Sequence, residues 1–219
     1  MEAGHQDHFA LAPTPTFRNL FIMRACFKQF LFLIALAAAF AFTRSADAQA
    51  LATNDLRLAK AGILQALTPP DWTGKFMGVH QPDQEPIFDF YAPNHALMLR
   101  LYVRWDGFGG KPIRPGETEM SKIVSNTVAT QYLPVAVEKS FNLEKLRGPA
   151  VTGIYARITD TNWTPVLKNT NDYPNICEGM FRTANIWGNF NLLTHDKDGP
   201  EFKAGLQVLE SLRRKPSSP

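Results

Sequence analysis

Residues 96–105 read Ala-Leu-Met-Leu-Arg-Leu-Tyr-Val-Arg-Trp, and this run decides the fold. Successive side chains of an extended chain point to opposite faces, so Leu97, Leu99, Leu101, Val103 and Trp105 share one side while Arg100, Tyr102 and Arg104 share the other. One face is core and the other is wet. That pattern belongs to an antiparallel sheet, since a parallel strand covered on both sides is apolar throughout. Upstream, residues 87–91 (Ile-Phe-Asp-Phe-Tyr) alternate in the same way, and a hairpin across the polar loop 81–86 is the economical connection to the strand before them. Residues 61–67 and 75–80 read as two earlier strands, the first closed by Pro69-Pro70 because proline donates no ladder hydrogen bond. Residues 51–60 read as a lead-in.

Downstream, a Gly- and Pro-rich loop leads to residues 117–133, where Met120, Ile123, Val124, Val128 and Tyr132 recur at spacings of three and four until Pro134. This is an amphipathic helix, and Glu117 and Glu119 suit the positive end of its dipole. Residues 135–141 and 151–159 read as further strands, the second with Ile154, Ala156 and Ile158 on one face and Tyr155 and Arg157 on the other. Residues 176–196 form a hairpin or one bulged strand, interrupted at Gly188-Asn189. Pro200 opens a second helix over 200–214 with an apolar stripe of Phe202, Leu206, Leu209 and Leu212, and Arg213, Arg214 and Lys215 complement its C-terminus. Residues 215–219 read as a frayed tail. The expected fold is α+β: one domain over 61–214, an antiparallel sheet of five to seven strands covered by helices 117–133 and 200–214.

This layout, with Trp72 after a Pro-Pro-Asp-Trp turn (69–72), a helix after the first meander and a closing helix of the type Leu-Gln-Val-Leu-Glu-Ser-Leu-Arg (206–213), resembles the photosystem II extrinsic subunit P (PsbP-like) family. The resemblance is architectural and spans most of residues 61–214. It implies an α/β/α sandwich and a small exported or lipid-anchored domain with a non-catalytic envelope role, and it transfers no functional residue.

The N-terminus supplies the address. From Met23 a short basic segment (Arg24, Lys28) precedes an apolar run over 30–42 and then small residues ending in alanines, the three regions of a signal peptide over 23–50. As a helix that run rises only about 20 Å against a hydrocarbon core of about 30 Å, so a permanent membrane span is not expected. Cleavage after Ala50 or Ala48 satisfies the small-x-small rule. Residues 1–22 carry Pro13 and Pro15 without helical period and read as an upstream start or an extension. Cys26 precedes the apolar run, which argues against a lipoprotein.

With 23 basic and 20 acidic residues the net charge is +3, and no run of like charge marks a nucleic-acid partner. Removal of the signal leaves Cys177 as a lone thiol, which excludes an internal disulfide and reads as a packed core residue. The segment 194–199 (Thr-His-Asp-Lys-Asp-Gly) has the form of half a calcium loop, but Gly205 stands where the bidentate Glu belongs. It reads as a polar turn capped near Asp198, and no metal or cofactor is expected. His80, His95 and His195 are dispersed, Asp83, Glu85 and Asp89 read as a solvated loop, and Asn162-Trp163-Thr164 is a short glycosylation match. No catalytic residue is assigned. The one feature of chemical interest is a candidate anion patch, Arg100, Tyr102 and Arg104 with Tyr155 and Arg157, because guanidinium groups flanking an aromatic suit a carboxylate or phosphate. The functional expectation is a periplasmic or secreted, non-catalytic binding or accessory module that engages an envelope protein or a small anionic ligand. The alternative is a periplasmic hydrolase with a site of dispersed Asp, Glu and His.

Overall fold

Leu97, Leu99, Leu101 and Val103 are fully buried on one side of a nine-residue strand, Leu97–Trp105, as the alternation requires. Each contributes on the order of 1.5–3 kcal/mol by leaving water. The structure, a computed structural model, describes residues 50–58, 61–77, 85–110, 114–161 and 173–215. In chain order the strands are β1 (Ala52–Leu58), β2 (Gly62–Thr68), β3 (Thr73–Phe76), β4 (Ile87–Tyr91), β5 (Leu97–Trp105), β6 (Glu144–Arg147), β7 (Thr152–Thr159), β8 (Asn175–Thr183), β9 (Ile186–Thr194) and β10 (Arg213–Lys215), with helices α1 (Glu117–Thr127) and α2 (Pro200–Glu210).

Seven strands form one antiparallel sheet in the order β3-β4-β5-β9-β8-β7-β6, and β1-β2-β10 form a second. The inner face of the large sheet presents Phe88, Phe90, the β5 leucines, Phe181, Phe190 and Leu192, which share one core with Leu56, Leu64, Phe202 and Leu209 of the small sheet and α2. On the outer face α1 lies over β7 and β8. There Met120, Val124 and Val128 form a second core with Ile154, Ala156, Ile158 and Met180. The fold is α+β, with antiparallel sheets and a helix on each side of the larger one, as expected.

Several local expectations are corrected. Residues 52–58 are a strand and not a lead-in: Leu56 and Leu58 turn inward while Thr53, Asp55 and Arg57 turn out, and full pairing with β2 supplies what two leucines could not signal alone. The strand expected over 75–80 is shifted to Thr73–Phe76, and residues 78–80 lie outside the described residues. No strand forms over 135–141, where Val135 and Val137 are exposed and Ala136 makes only an isolated bridge to Asp160; β6 follows instead. The helix expected over 117–133 is α-helical to Thr127 and continues as a π-helical turn over Val128–Tyr132. The helix expected over 200–214 ends at Glu210, because Arg213, Arg214 and Lys215 leave it to pair with β2 as a third strand. Lys215 is therefore part of the fold and not of a tail.

Residues 176–196 are a hairpin, but its turn is Ala184-Asn185, with Ala184 at a φ of 50°, and not Gly188-Asn189. Gly188 lies inside β9, where an added Cβ would meet the Tyr102 carbonyl oxygen of β5 at 2.0 Å. Backbone cannot yield as a flexible side chain does. Gly188→Ala is expected to destabilise the protein by about 1–3 kcal/mol, read as a lowered urea midpoint with an unchanged slope.

Candidate functional site

The register of the large sheet aligns one polar row across its outer face. Lys75 on β3 stands opposite Asp89 on β4, Asp89 opposite Arg100 on β5, Arg100 opposite Asn191 on β9, and Asn191 opposite Glu178 on β8. Directly opposed cross-strand residues interact, and here they form two linked groups. Arg100 donates to Asp89 through Nε at 2.7 Å and Nη2 at 2.8 Å, a fork that matches the carboxylate, and the Tyr91 hydroxyl donates to Asp89 Oδ2 at 3.1 Å. Asp89 is fully buried whereas the Arg100 side chain keeps 30% of its surface. Asp89 strengthens the hold of Arg100 on its proton against the cost of burial, with Tyr102 adding to it.

The second group is Glu178, Asn191 and Tyr132. Asn191 Nδ2 donates to Glu178, and the Tyr132 hydroxyl donates to Glu178 Oε2 at 3.4 Å. Tyr132 comes from the π-helical turn, a widening of the helix that recurs at functional positions. Burial pushes the Glu178 carboxyl up to about 7, and the bonds from Asn191 and Tyr132 only partly oppose that shift. Burial followed by the nearby Glu178 charge pushes the Tyr132 phenol up to about 12.

Beside this row, Arg104 pairs with Glu85 and stacks over the Trp187 ring at 5.1 Å. Asp89 and Glu85 are thus occupied by arginines and do not form a solvated loop, while Asp83 lies outside the described residues. The anion-patch residues fall on two faces. Arg100, Tyr102 and Arg104 are on the outer face, whereas Tyr155 and Arg157 of β7 point inward toward α2. The Tyr155 hydroxyl donates to Glu144 at 3.0 Å, and Arg157 donates to Glu144 at 2.6 Å and to Asp198 at 2.7 Å with its guanidinium 5.3 Å from the Phe202 ring. Each of the three guanidiniums therefore already holds a carboxylate, and an anion at any of them competes with that partner.

The remaining chemistry is quiet. Cys177 is buried, and burial pushes its thiol well above the usual range. A buried thiol with a raised pKa is inert, so an aromatic disulfide reagent is expected to leave Cys177 unmodified in native protein and to titrate one thiol from it only under denaturant. Rapid native labelling of Cys177 would contradict that placement. His95 and His195 lie at the same end of the large sheet, because Leu97 pairs with Thr194. Their rings pack on Tyr91 at 5.7 Å and Tyr173 at 5.0 Å respectively. Among the described residues no group of three His, Cys, Asp or Glu can hold a metal. In the 194–199 turn the Asp198 N–H bonds to Asp196 Oδ1 at 3.1 Å and the Asp198 carboxylate faces Arg157. Helix α2 begins after Gly199 without a side-chain cap, so the cap expected near Asp198 is absent. His80 and Asn162-Trp163-Thr164 lie outside the described residues.

Glu178, Asn191 and Trp187 are not singled out by sequence, and Tyr132 reads there only as part of the apolar stripe of a helix. An acid inside the apolar run 176–181 was the available signal for Glu178, and the other three carry none until the strands pair.

The architecture is that of an antiparallel α+β sandwich whose large sheet keeps a polar and aromatic outer face. No family model and no curated protein matches the chain. It is similar to a solved structure, the solution structure of cyanobacterial PsbP (CyanoP) from Synechocystis sp. PCC 6803, with 11% identity and a TM-score of 0.47, covering 78% of this chain and 96% of that one.

Proposed function

We propose that the protein is an exported, non-catalytic accessory module of the cell envelope that engages a protein partner through the uncovered half of its outer sheet face. The observation that carries this reading is the division of that face. Helix α1 covers β7 and β8, while β4, β5 and the facing part of β9 present Tyr102, Arg104 and Trp187 without a described helix over them. Arginine, tyrosine and tryptophan dominate the energetic centres of protein interfaces. Because Arg100 and Arg104 are already neutralised by carboxylates, this face suits a protein surface better than a free anion.

The exported address is supported by the signal-peptide pattern and by the compact unit that starts at Ala50, where cleavage is expected. No described helix is long and apolar enough to cross a membrane. N-terminal sequencing of the protein recovered from the periplasmic fraction is expected to begin at Leu51 or Gln49; recovery of an uncleaved chain in the cytosol would reject the address.

The partner is tested by capture from native envelope extract with wild type and with an Arg104→Glu/Trp187→Ala variant, chosen because both positions are part-exposed. A partner recovered by wild type and depleted at least tenfold with the variant is the expected result. Identical recovery by a folded variant would remove this face from the proposal.

A further inference from the structure

The small sheet has two sides, and one of them is core. Leu56 and Leu64 turn inward to the large sheet and α2, so the residues that alternate with them on β1, β2 and β10 form an outward face. Pairing aligns two rows on that face: Arg57 opposite Ile63 and Ile63 opposite Lys215, then Asp55 opposite Gln65 and Gln65 opposite Arg213. Adjacent strands lie about 4.8 Å apart, which sets the backbones of Arg57 and Lys215 about 10 Å from each other. Arg57, Arg213 and Lys215 are all exposed, as is Arg214 beside them on β10. Residue 57 and residues 213–215 are far apart in sequence, and the third strand is what gathers them.

The charge of this face is not cancelled locally. Arg100, Arg104, Arg114 and Arg157 each hold a carboxylate. Arg213 donates instead to the Gln65 amide oxygen, through Nε at 2.7 Å and through Nη2, and Arg214 donates through Nε to the Ala61 carbonyl oxygen at 3.2 Å. These acceptors are neutral: they orient the guanidinium groups and leave their charge in place. Asp55, the acid of the two rows, accepts from Gln65 at 2.6 Å and from Lys215 at 3.3 Å. Among the described residues Arg57, Arg213 and Arg214 are therefore bonded to no carboxylate. The rest of the face is aliphatic. Ile63 and Leu67 of β2 are partly exposed, and Leu51, just before β1, leaves 55% of its surface in water.

We infer that this face is a peripheral docking surface for an anionic phospholipid bilayer. The guanidinium and ammonium groups meet lipid phosphates, to which arginine can donate two parallel bonds. Leu51, Ile63 and Leu67 supply the apolar part that an interfacial surface places at the headgroup boundary. Clustered Lys and Arg are drawn to anionic lipid in proportion to their number. A nucleic-acid strand needs aromatic platforms for its bases, and protein interfaces centre on Trp and Tyr as well as Arg, whereas neither row here holds an aromatic residue. The face lies across the shared core from the uncovered outer face of the large sheet, so a chain seated on a bilayer through β1, β2 and β10 keeps that other face free. The two surfaces share no residue, and either can fail without the other.

The test is co-sedimentation of the purified protein with vesicles of equimolar phosphatidylglycerol and phosphatidylcholine, against vesicles of phosphatidylcholine alone. Binding to the anionic vesicles is expected to be about tenfold tighter or more at low ionic strength and to weaken as salt is raised. An Arg57→Glu/Lys215→Glu variant is expected to lose that preference while its circular dichroism and Tm stay at wild type, since both side chains are exposed. Arg57→Glu alone, which leaves β10 untouched, is expected to weaken anionic binding in the same direction. Lys122→Glu/Lys139→Glu makes the same change of net charge at exposed positions on α1 and the segment after it, and is expected to bind as wild type. The N-terminal apolar run is common to every variant, so the differences between them read this face. Equal binding to the two kinds of vesicle, equal loss in the two charge-reversed pairs, or undiminished binding by a folded variant of this face would overturn the inference. An acidic envelope protein captured by wild type and lost with Arg57→Glu/Lys215→Glu, without binding to phosphatidylglycerol, would overturn it in favour of a protein partner.

Discussion

Replacing Arg100 with leucine is expected to destabilise the protein by about 3–5 kcal/mol, because it strands the Asp89 carboxylate in the sheet without its cation. Asp89 is fully buried and its oxygens are taken by the Arg100 fork and the Tyr91 hydroxyl. Removal of the guanidinium leaves one neutral donor for a charge that water cannot reach. A domain of this kind holds only about 5–15 kcal/mol in total, so the loss is a large share of its stability. The decisive comparison is the second step: Asp89→Asn added to Arg100→Leu removes the stranded charge, keeps a group that can accept from Tyr91, and is expected to recover at least half of the loss. Urea unfolding of the three proteins gives the answer. An Arg100→Leu variant within 1 kcal/mol of wild type, or no recovery on adding Asp89→Asn, would show that the pair is not a buried one. The same reasoning is why Arg104, and not Arg100, is the residue to reverse in a binding test.

The second large effect is a fall in stability as pH rises, centred on Glu178. Burial raises its folded pKa from 4.5 to about 7, so between those values the folded protein holds a proton that the unfolded chain has released. The unfolded state then binds fewer protons, and stability decreases with pH across that window. The contribution is fully present below about 4.5 and is lost as pH passes 7. A difference of that size corresponds to about 3 kcal/mol. Glu178→Gln keeps the shape and the bonds to Asn191 and Tyr132 without the charge, so it is expected to unfold at the same Tm at pH 5 and pH 8 and to exceed wild type at pH 8. Wild type that is equally stable at both values would contradict the burial of this carboxyl. Glu138 does not confuse the measurement. Burial opposes its ionisation, but the Lys197 ammonium and the Thr159 N–H outweigh that, and its pKa falls to about 2. Its contribution is present above 4.5 and is lost as pH falls toward 2, a separate window with the opposite sign.

These two results bear on the outer face, whose chemistry was only half legible. Arg100, Tyr102 and Arg104 were readable as one face of a strand because a period of two needs nothing but the strand itself. Their carboxylate partners were not, since Asp89 and Glu85 meet them only through the antiparallel register of β4 on β5. Tyr155 and Arg157 show the same limit from the other side. The alternation of β7 separates them from Ile154 and Ala156, but which face turns toward α2 is a matter of packing. β7 is covered on both sides, with Tyr155 itself buried. A rule that equates the polar side of a strand with water fails for a central strand between two helices.

Elements built on local periodicity or local chemistry were visible: β5, β4, the first turns of α1, and α2 from Pro200. Elements that exist because of a distant partner were not. β1 has two buried leucines and stands because β2 pairs along its whole length, and β10 is three exposed basic residues that hydrogen-bond to β2 after a helix was expected to continue. The sequence by itself determined an antiparallel α+β chain, its strongest strand and the two helical stripes. Only the tertiary structure decided that there are two sheets and that Glu178 is a buried acid. Spacing along the chain sets which face a side chain occupies, while register and layer order, properties of segments far apart in sequence, set what that face meets.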